Sequence, residues 1–300
     1  MKLKVFVTGA SGMLGTTLYD VFTNVGYEII STDLSPLDPW TVRLDVRNKR
    51  VVRSMIKKAK PDFVFNLAAL TDVEFCELHP QEAYDTNAEG ALNVAYVCKE
   101  FGVPLVHIST AGVFDGGKGL PYSEEDTPNP INYYGKAKCE AEKEIPKILD
   151  NYFIFRAGWM MGSGERDKKF VKKVIDQIKG GAKTIYALTD MYGCPTYTRD
   201  FSHGILYMLS TNDYGLYNMG GEGYCSRYDV AKKIVEVLKL DTVTVEPVTQ
   251  EFFSKAYFAP RPSFEVLLNK KLYDRNYNLM RNWEEALVEY LTYYEKHRSF

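Results

Sequence analysis

A tyrosine and a lysine four residues apart, Tyr134 and Lys138, carry the first recognisable chemistry in this sequence. On a helix, positions i and i+4 share a face, so a phenol and an ammonium can meet one ligand. A free tyrosine keeps its proton up to a pH of about 10. A neighbouring cation stabilises the phenolate and lowers that value, which suits the pair to proton transfer with an alcohol or a carbonyl. The same spacing recurs at Tyr228 and Lys232, about as often as chance allows, so context separates the two. Upstream of Tyr134, at the end of an apolar run, stand Ser109 and Thr110, whose hydroxyls can bond a carbonyl oxygen. Tyr228 has no such partner and reads as an ordinary helix residue.

A second set of residues points to an anion. Gly9, Gly12 and Gly15 form G-x-x-G-x-x-G directly after the apolar run 3–8, with Ser11, Met13 and Leu14 between them. At a strand-to-helix turn the early glycines let the backbone approach a pyrophosphate. The last one lets the helix pack close, and the helix amides face the anion. Asp33 follows at the end of the next apolar run, where an acid accepts hydrogen bonds from an adenosine ribose. Leu34 and Ser35 come next, with no arginine directly after the acid, which favours NAD(H). Arg43 and Arg47 keep NADP(H) open.

These residues need strands and helices in alternation to position them, and the first half supplies them. Strands are expected at 3–8, 27–32, 63–68, 105–109 and 152–156. Helices are expected at 13–25, 48–59, about 80–101, and from Asn132 to near Pro146. The pattern is α/β, a Rossmann-type doubly wound parallel sheet. Residues 1–160 form the NAD(P)-binding domain. Residues 161–300 form mainly a smaller, mixed α/β substrate lobe, interleaved with the last elements of the first domain. Its helices are expected near 168–179, 200–210, 227–239 and 283–296.

Composition excludes several classes. A formal charge of −2 and a pI near 6.2 argue against nucleic-acid binding. No apolar run is long enough to span a membrane. Five scattered cysteines, with no C-x-x-C pair, read as free thiols, and the chain opens on a strand-like run, so a cytoplasmic protein is expected. No metal set is evident.

Taken in order, the motifs resemble the dTDP-4-dehydrorhamnose reductase family of extended short-chain dehydrogenases. The resemblance runs nearly end to end. It includes Asn66-Leu67-Ala68-Ala69-Leu70-Thr71 with the acidic stretch to Glu77, Ser109-Thr110-Ala111-Gly112-Val113-Phe114-Asp115-Gly116, and Tyr134-Gly135-Lys136-Ala137-Lys138. Arg156 to Gly162 with Trp159, Gly193-Cys194-Pro195-Thr196-Tyr197, and Arg261-Pro262-Ser263 follow in the expected order. The resemblance implies hydride transfer from a reduced nicotinamide to the C4 keto carbon of a nucleotide-activated 6-deoxysugar. Tyr134 would donate the proton, Lys138 would tune it and bind ribose, and Thr110 would hold the carbonyl oxygen. It adds Asp45, Val46, Leu67, Ala68, Ala69, Thr71, Ile108 and Ser109 as cofactor contacts. Ala111, Trp159 and Arg261 become substrate contacts, and Lys168, Lys169 and Arg199 join Arg261 as candidates to meet the substrate pyrophosphate. The expected form is a monomer or a homodimer.

Three departures bear on the substrate. Ala111 and Gly112 replace an acid and an aromatic of the family, and Met191 stands where a glutamine is usual. Thr16 and Thr17 replace an acid that some members use to bind a metal at a dimer interface. Two alternatives stay open. One is another nucleotide-sugar enzyme on the same fold, although Ala111-Gly112 lacks the Asp-Glu pair of the dehydratases. The other is a non-catalytic module similar to the regulatory β subunit of methionine adenosyltransferase.

Overall fold

The computed structural model describes residues 2–297, and a seven-stranded sheet organises it. From the first half come β1 (Lys4–Thr8), β2 (Glu28–Asp33), β3 (Val42–Arg43), β4 (Phe63–Asn66), β5 (Leu105–Thr110) and β6 (Tyr152–Ala157). The strand Gly215–Asn218 comes from the second half. It lies outside β6, and the order continues β5, β4, β1, β2, β3, with every pairing parallel. Strands such as Phe63–Asn66 and Tyr152–Ala157 are apolar on both faces because helices cover both. One core packs α1 (Met13–Asn24) and the helix Thr198–Thr211 against the sheet; a second packs Lys49–Ala59, Gly90–Phe101 and Tyr133–Ile148 on the other face.

A third core lies away from this sheet. The helices Phe170–Lys179, Arg227–Val237 and Trp283–His297 enclose it with the parallel pair Thr184–Leu188 and Thr244–Val248. Short strands join distant parts of the chain. Trp159–Met161 pairs with Pro195–Tyr197, and Tyr192–Gly193 lies between Cys225–Ser226 and Phe264–Glu265.

The strands and helices expected from the sequence fall within a few residues of the observed ones. The main difference is the helix expected over 80–101. It begins as Pro80–Tyr84, widens into a π turn at Asp85–Glu89 and resumes as Gly90–Phe101. The widened turn frees Asn87, which clamps Leu70 by donating to its carbonyl at 2.9 Å and accepting from its amide at 2.8 Å. Gly90 packs on Val46, where a side-chain carbon would come within 2.7 Å. The helix Tyr133–Ile148 passes through Pro146 and stops two residues later. All five cysteines are buried and unpaired, and no described helix is long and apolar enough to cross a membrane.

Candidate active site

The carboxyl ends of the central strands open into a cavity of about 960 Å³, where the strand order reverses between β1 and β4. In open α/β sheets this is where ligands bind. Gly9 turns in the left-handed region, φ 70°, and a side-chain carbon there would stand 2.7 Å from the Ala68 nitrogen. Gly15 rests on Ala10, whose carbonyl oxygen would lie 2.5 Å from such a carbon. Only glycine allows both approaches. Helix α1 therefore starts beneath the cavity. Its N-cap Gly12 offers no side-chain acceptor, and its first turn contains no acid. Unmet amides and the positive helix end suit the diphosphate of a dinucleotide. Ser109 Oγ, buried without a hydrogen-bond partner among the described residues, is a further polar group for a ligand to satisfy. The residues present fit a nicotinamide dinucleotide.

At the end of β2 the Asp33 carboxylate accepts from Ser11 N at 3.0 Å and Ser35 N at 2.9 Å, and it still faces the cavity. An ionised carboxylate has lone pairs left for ribose hydroxyls. Arg47 also lines the cavity, paired with Asp45 at 2.6 Å, while Arg43 sits exposed on β3. Arg166, which sequence reasoning did not single out, lies nearby and pairs with Asp38 at 2.9 Å.

The residues expected to transfer the proton meet through close backbone packing. Asn132 caps the helix Tyr133–Ile148 by accepting from Gly135 N at 2.8 Å, and it ties the cap to the Pro260 carbonyl at 2.9 Å. Gly135 lies against the Gly112 carbonyl, where a side-chain carbon would come within 2.2 Å. That contact sets Tyr134 against the end of β5, where its hydroxyl comes under the influence of the Thr110 hydroxyl. Thr110 Oγ1 also accepts from Gly112 N at 3.0 Å. One turn on, Lys138 Nζ stands 3.2 Å from His107 Nε2.

Burial governs the ionisation here. It pushes Tyr134 up to about 12, a rise that the Thr110 hydrogen bond opposes. It also brings Lys138 down to about 8, against the smaller opposing pull of Glu142. Burial thus outweighs the lowering that a neighbouring lysine alone would bring to the tyrosine. Lys138 is turned to His107, and removing both groups from water favours their neutral forms.

The opposite wall is charged. The Arg227 guanidinium lies over the Trp159 ring, 3.5 Å from its centroid, and the Trp159 indole donates to Glu265 Oε2 at 2.7 Å. Burial pushes Glu265 up and brings Arg227 down to about 10. Gly193 lies against the Trp159 ring, leaving no room for a side chain. Arg261 is held by Glu74 at 2.6 Å, and Lys169 donates to the Thr71 carbonyl at 3.2 Å.

Every cofactor, catalytic and substrate residue singled out in the sequence lines this cavity except Ala111 and Arg199. Ala111 is buried beneath it, and the neighbouring Gly112 lines the wall instead. The short turn Ala111–Val113 packs Ala111 in a core cluster with Val113 and Phe114, so its side chain is not part of the cavity wall. Arg199 is not part of the lining and faces Glu289 at 3.7 Å. Tyr228 and Lys232 sit outside the cavity with the ammonium over the ring, as an ordinary helix pair. Thr17 bonds Thr198 Oγ1 at 2.8 Å and Thr16 bonds the Gly12 carbonyl at 3.0 Å. Arg227 and Glu265 were not foreseen, because nothing local in the sequence marks them.

A glycine loop at the switch point of a doubly wound sheet, facing a Tyr–Lys–Thr set across one cavity, defines an extended short-chain dehydrogenase/reductase. Known proteins narrow the class. The family described as the RmlD substrate binding domain matches residues 3–296, and the chain belongs to it. Over 288 residues the chain is 33% identical to the spore coat polysaccharide biosynthesis protein SpsK of Bacillus subtilis, covering 96% of each. A solved dTDP-4-dehydrorhamnose reductase from Clostridium acetobutylicum is 33% identical, with a TM-score of 0.89 and coverage of 97% of this chain and 99% of that one. One from Bacillus anthracis, in complex with NADP, is 32% identical, with a TM-score of 0.88 and coverage of 98% and 100%.

Proposed function

We propose that this chain reduces the 4-keto group of a nucleotide-activated 6-deoxysugar with NAD(P)H. The Tyr134–Lys138–Thr110 set, lining the same cavity as the glycine loop, carries the reading. The glycine loop and Asp33 would hold a reduced nicotinamide dinucleotide, which would supply the hydride. Thr110 then holds the keto oxygen while Tyr134 gives its proton to the developing alkoxide. A tyrosine pushed up to about 12 stores its proton throughout neutral pH, as an acid must. The Lys138 ammonium stabilises the phenolate left behind. Trp159 faces the sugar ring. The direct test is purified protein with NADH or NADPH and dTDP-4-dehydrorhamnose. Dinucleotide oxidation dependent on the sugar supports the reading, and none with any nucleotide 4-keto-6-deoxysugar overturns it.

Asp33 favours NADH over NADPH, because a carboxylate beside the ribose repels a 2′-phosphate. Arg47 and Arg166 would have to leave Asp45 and Asp38 to offset that repulsion. In Asp33→Ala, the ratio of kcat/KM for NADH to that for NADPH should fall. An unchanged ratio removes Asp33 as the ribose ligand.

Arg227 binds an anionic or strongly accepting part of the substrate, since its guanidinium lies over Trp159 on the cavity wall and a guanidinium is a multiple donor. Arg227→Leu should raise KM for the nucleotide sugar roughly 10- to 100-fold, the worth of a charged hydrogen bond, with kcat nearly unchanged. An unaltered KM would place the substrate elsewhere.

Lys138 gives the pH dependence. Its value is depressed to about 8 from 10.5, so it is charged below that range and neutral above it. The kcat/KM for the reduced dinucleotide should therefore decline above a pH of about 8. A decline that begins only near 10.5 would show that the Lys138 charge is not needed.

A further inference from the structure

The proton-transfer scheme leaves a fully buried histidine unused. His107, on β5, lies between two polar neighbours, with Nε2 3.2 Å from Lys138 Nζ and Nδ1 3.1 Å from the Asn66 amide. The other end of that amide stands 2.7 Å from Thr8 Oγ1, which accepts from Ala68 N at 3.3 Å. A file of side chains thus crosses from Lys138 through β5 and β4 to β1, which leads into the glycine loop. Each of the four is at most 2% exposed. Burying so many polar groups is costly unless their donors and acceptors match.

Matching them leaves one arrangement when Lys138 is charged. An ammonium has three donors and no acceptor, so His107 Nε2 must accept. Burial, reinforced by Lys138, holds the imidazole well below its ordinary range, so the ring is neutral with one proton. That proton must sit on Nδ1. The Asn66 atom facing Nδ1 must then be the carbonyl oxygen, the reverse of the orientation in which Nδ2 faces His107 and Thr8 Oγ1 donates to Oδ1, and the amide nitrogen then donates to Thr8 Oγ1. The opposite orientation of the amide would force a proton onto Nε2 and set two donors against each other. Amide orientation is decided by such networks, because its two ends have nearly the same shape.

We propose that His107 is the positioning residue for Lys138, a neutral ring locked by Asn66 with Nδ1 protonated, whose bare Nε2 holds the ammonium on the cavity. The other titratable groups near Lys138 are Tyr134 and Glu142 on its own helix, and Glu142 is occupied by Arg156 of β6 at 2.7 Å. His107 thus provides the acceptor that no carboxylate provides. The kinetic consequence rests on the reductase reading, whereas the tautomer does not.

Two measurements test this. In ¹⁵N NMR of the whole protein near pH 7, His107 should show a protonated Nδ1 and a bare Nε2. A protonated Nε2 would overturn the proposal. His107→Leu should weaken NADH binding roughly 10-fold, and the fall of kcat/KM with pH should begin about one unit lower, because the charged lysine loses its acceptor. His107→Gln restores an acceptor and should recover both. A folded His107→Leu protein with unchanged NADH affinity and pH profile would overturn the proposal, as would a His107→Gln protein that recovers neither. If His107→Leu does not fold, the tautomer and His107→Gln decide. If no keto sugar is turned over, the tautomer and the NADH affinity still decide it apart from the reductase reading.

Discussion

Tyr134→Phe is expected to lower kcat by roughly 10²–10⁴ while leaving dinucleotide affinity close to that of the unchanged protein. The substitution removes one oxygen and keeps the ring that fills the space beside Gly112 and Thr110. Binding along the glycine loop does not use the phenol, so affinity should survive. The chemical step does use it, because hydride addition leaves an alkoxide that must be protonated in a site with little water. Thr110 remains, but its hydroxyl is a far weaker acid and already accepts from Gly112 N. Single-turnover reduction at saturating NAD(P)H, with dinucleotide affinity measured separately, is the decisive experiment. Unchanged turnover would place the proton donor elsewhere in the cavity. A loss of affinity equal to the loss of rate would mean that Tyr134 acts by packing.

Arg156→Leu is expected to destabilise the fold by about 3–5 kcal/mol, the cost of stranding one member of a buried ion pair. The side chains of Arg156 and Glu142 are each 3% exposed and meet through three hydrogen bonds, Nε to Oε1 at 2.9 Å, Nε to Oε2 at 3.2 Å and Nη2 to Oε2 at 2.7 Å. The pair joins β6 to the helix that carries Tyr134 and Lys138, and the guanidinium also lies over Phe114 at 4.9 Å. Removing the arginine leaves a buried carboxylate without its hydrogen-bonded partner, with only the weaker pull of Lys138 to offset its charge. At roughly 2–4 °C per kcal/mol for a chain near this size, Tm should fall by about 10 °C. Removing both charges, as in Arg156→Leu with Glu142→Leu, should recover much of the loss, since the attraction between buried ions largely offsets their desolvation. Calorimetry on the two variants tests this. A double variant as unstable as the single one would show that packing around Arg156, not charge, carries the effect.

Much of the positioning is legible in the sequence because it is local. The glycine spacing at 9, 12 and 15 is a constraint on one turn, and the Tyr134–Lys138 spacing is a constraint on one helix face. The alternation of apolar strands and capped helices fixes a parallel sheet, whose carboxyl edge must then collect the loops after β1, β2, β4 and β5. The position of nearly every expected cofactor residue on the cavity wall follows from that edge.

What the sequence by itself determined is therefore the class of fold, the glycine loop and the Tyr–Lys–Thr set, since each is written in short-range spacing. Tertiary structure alone decided the rest. Trp159, Arg227 and Glu265 are scattered through the second half and meet only because short strands through Gly193 bring their segments together. Ala111 turned inward because a tight turn follows β5, which no side-chain identity announces. The ionisation of Tyr134 and Lys138 took the direction that burial imposes, and burial is a property of the packed whole. His107 reads as one more residue in a strand until folding puts Lys138 on one side of its ring and Asn66 on the other.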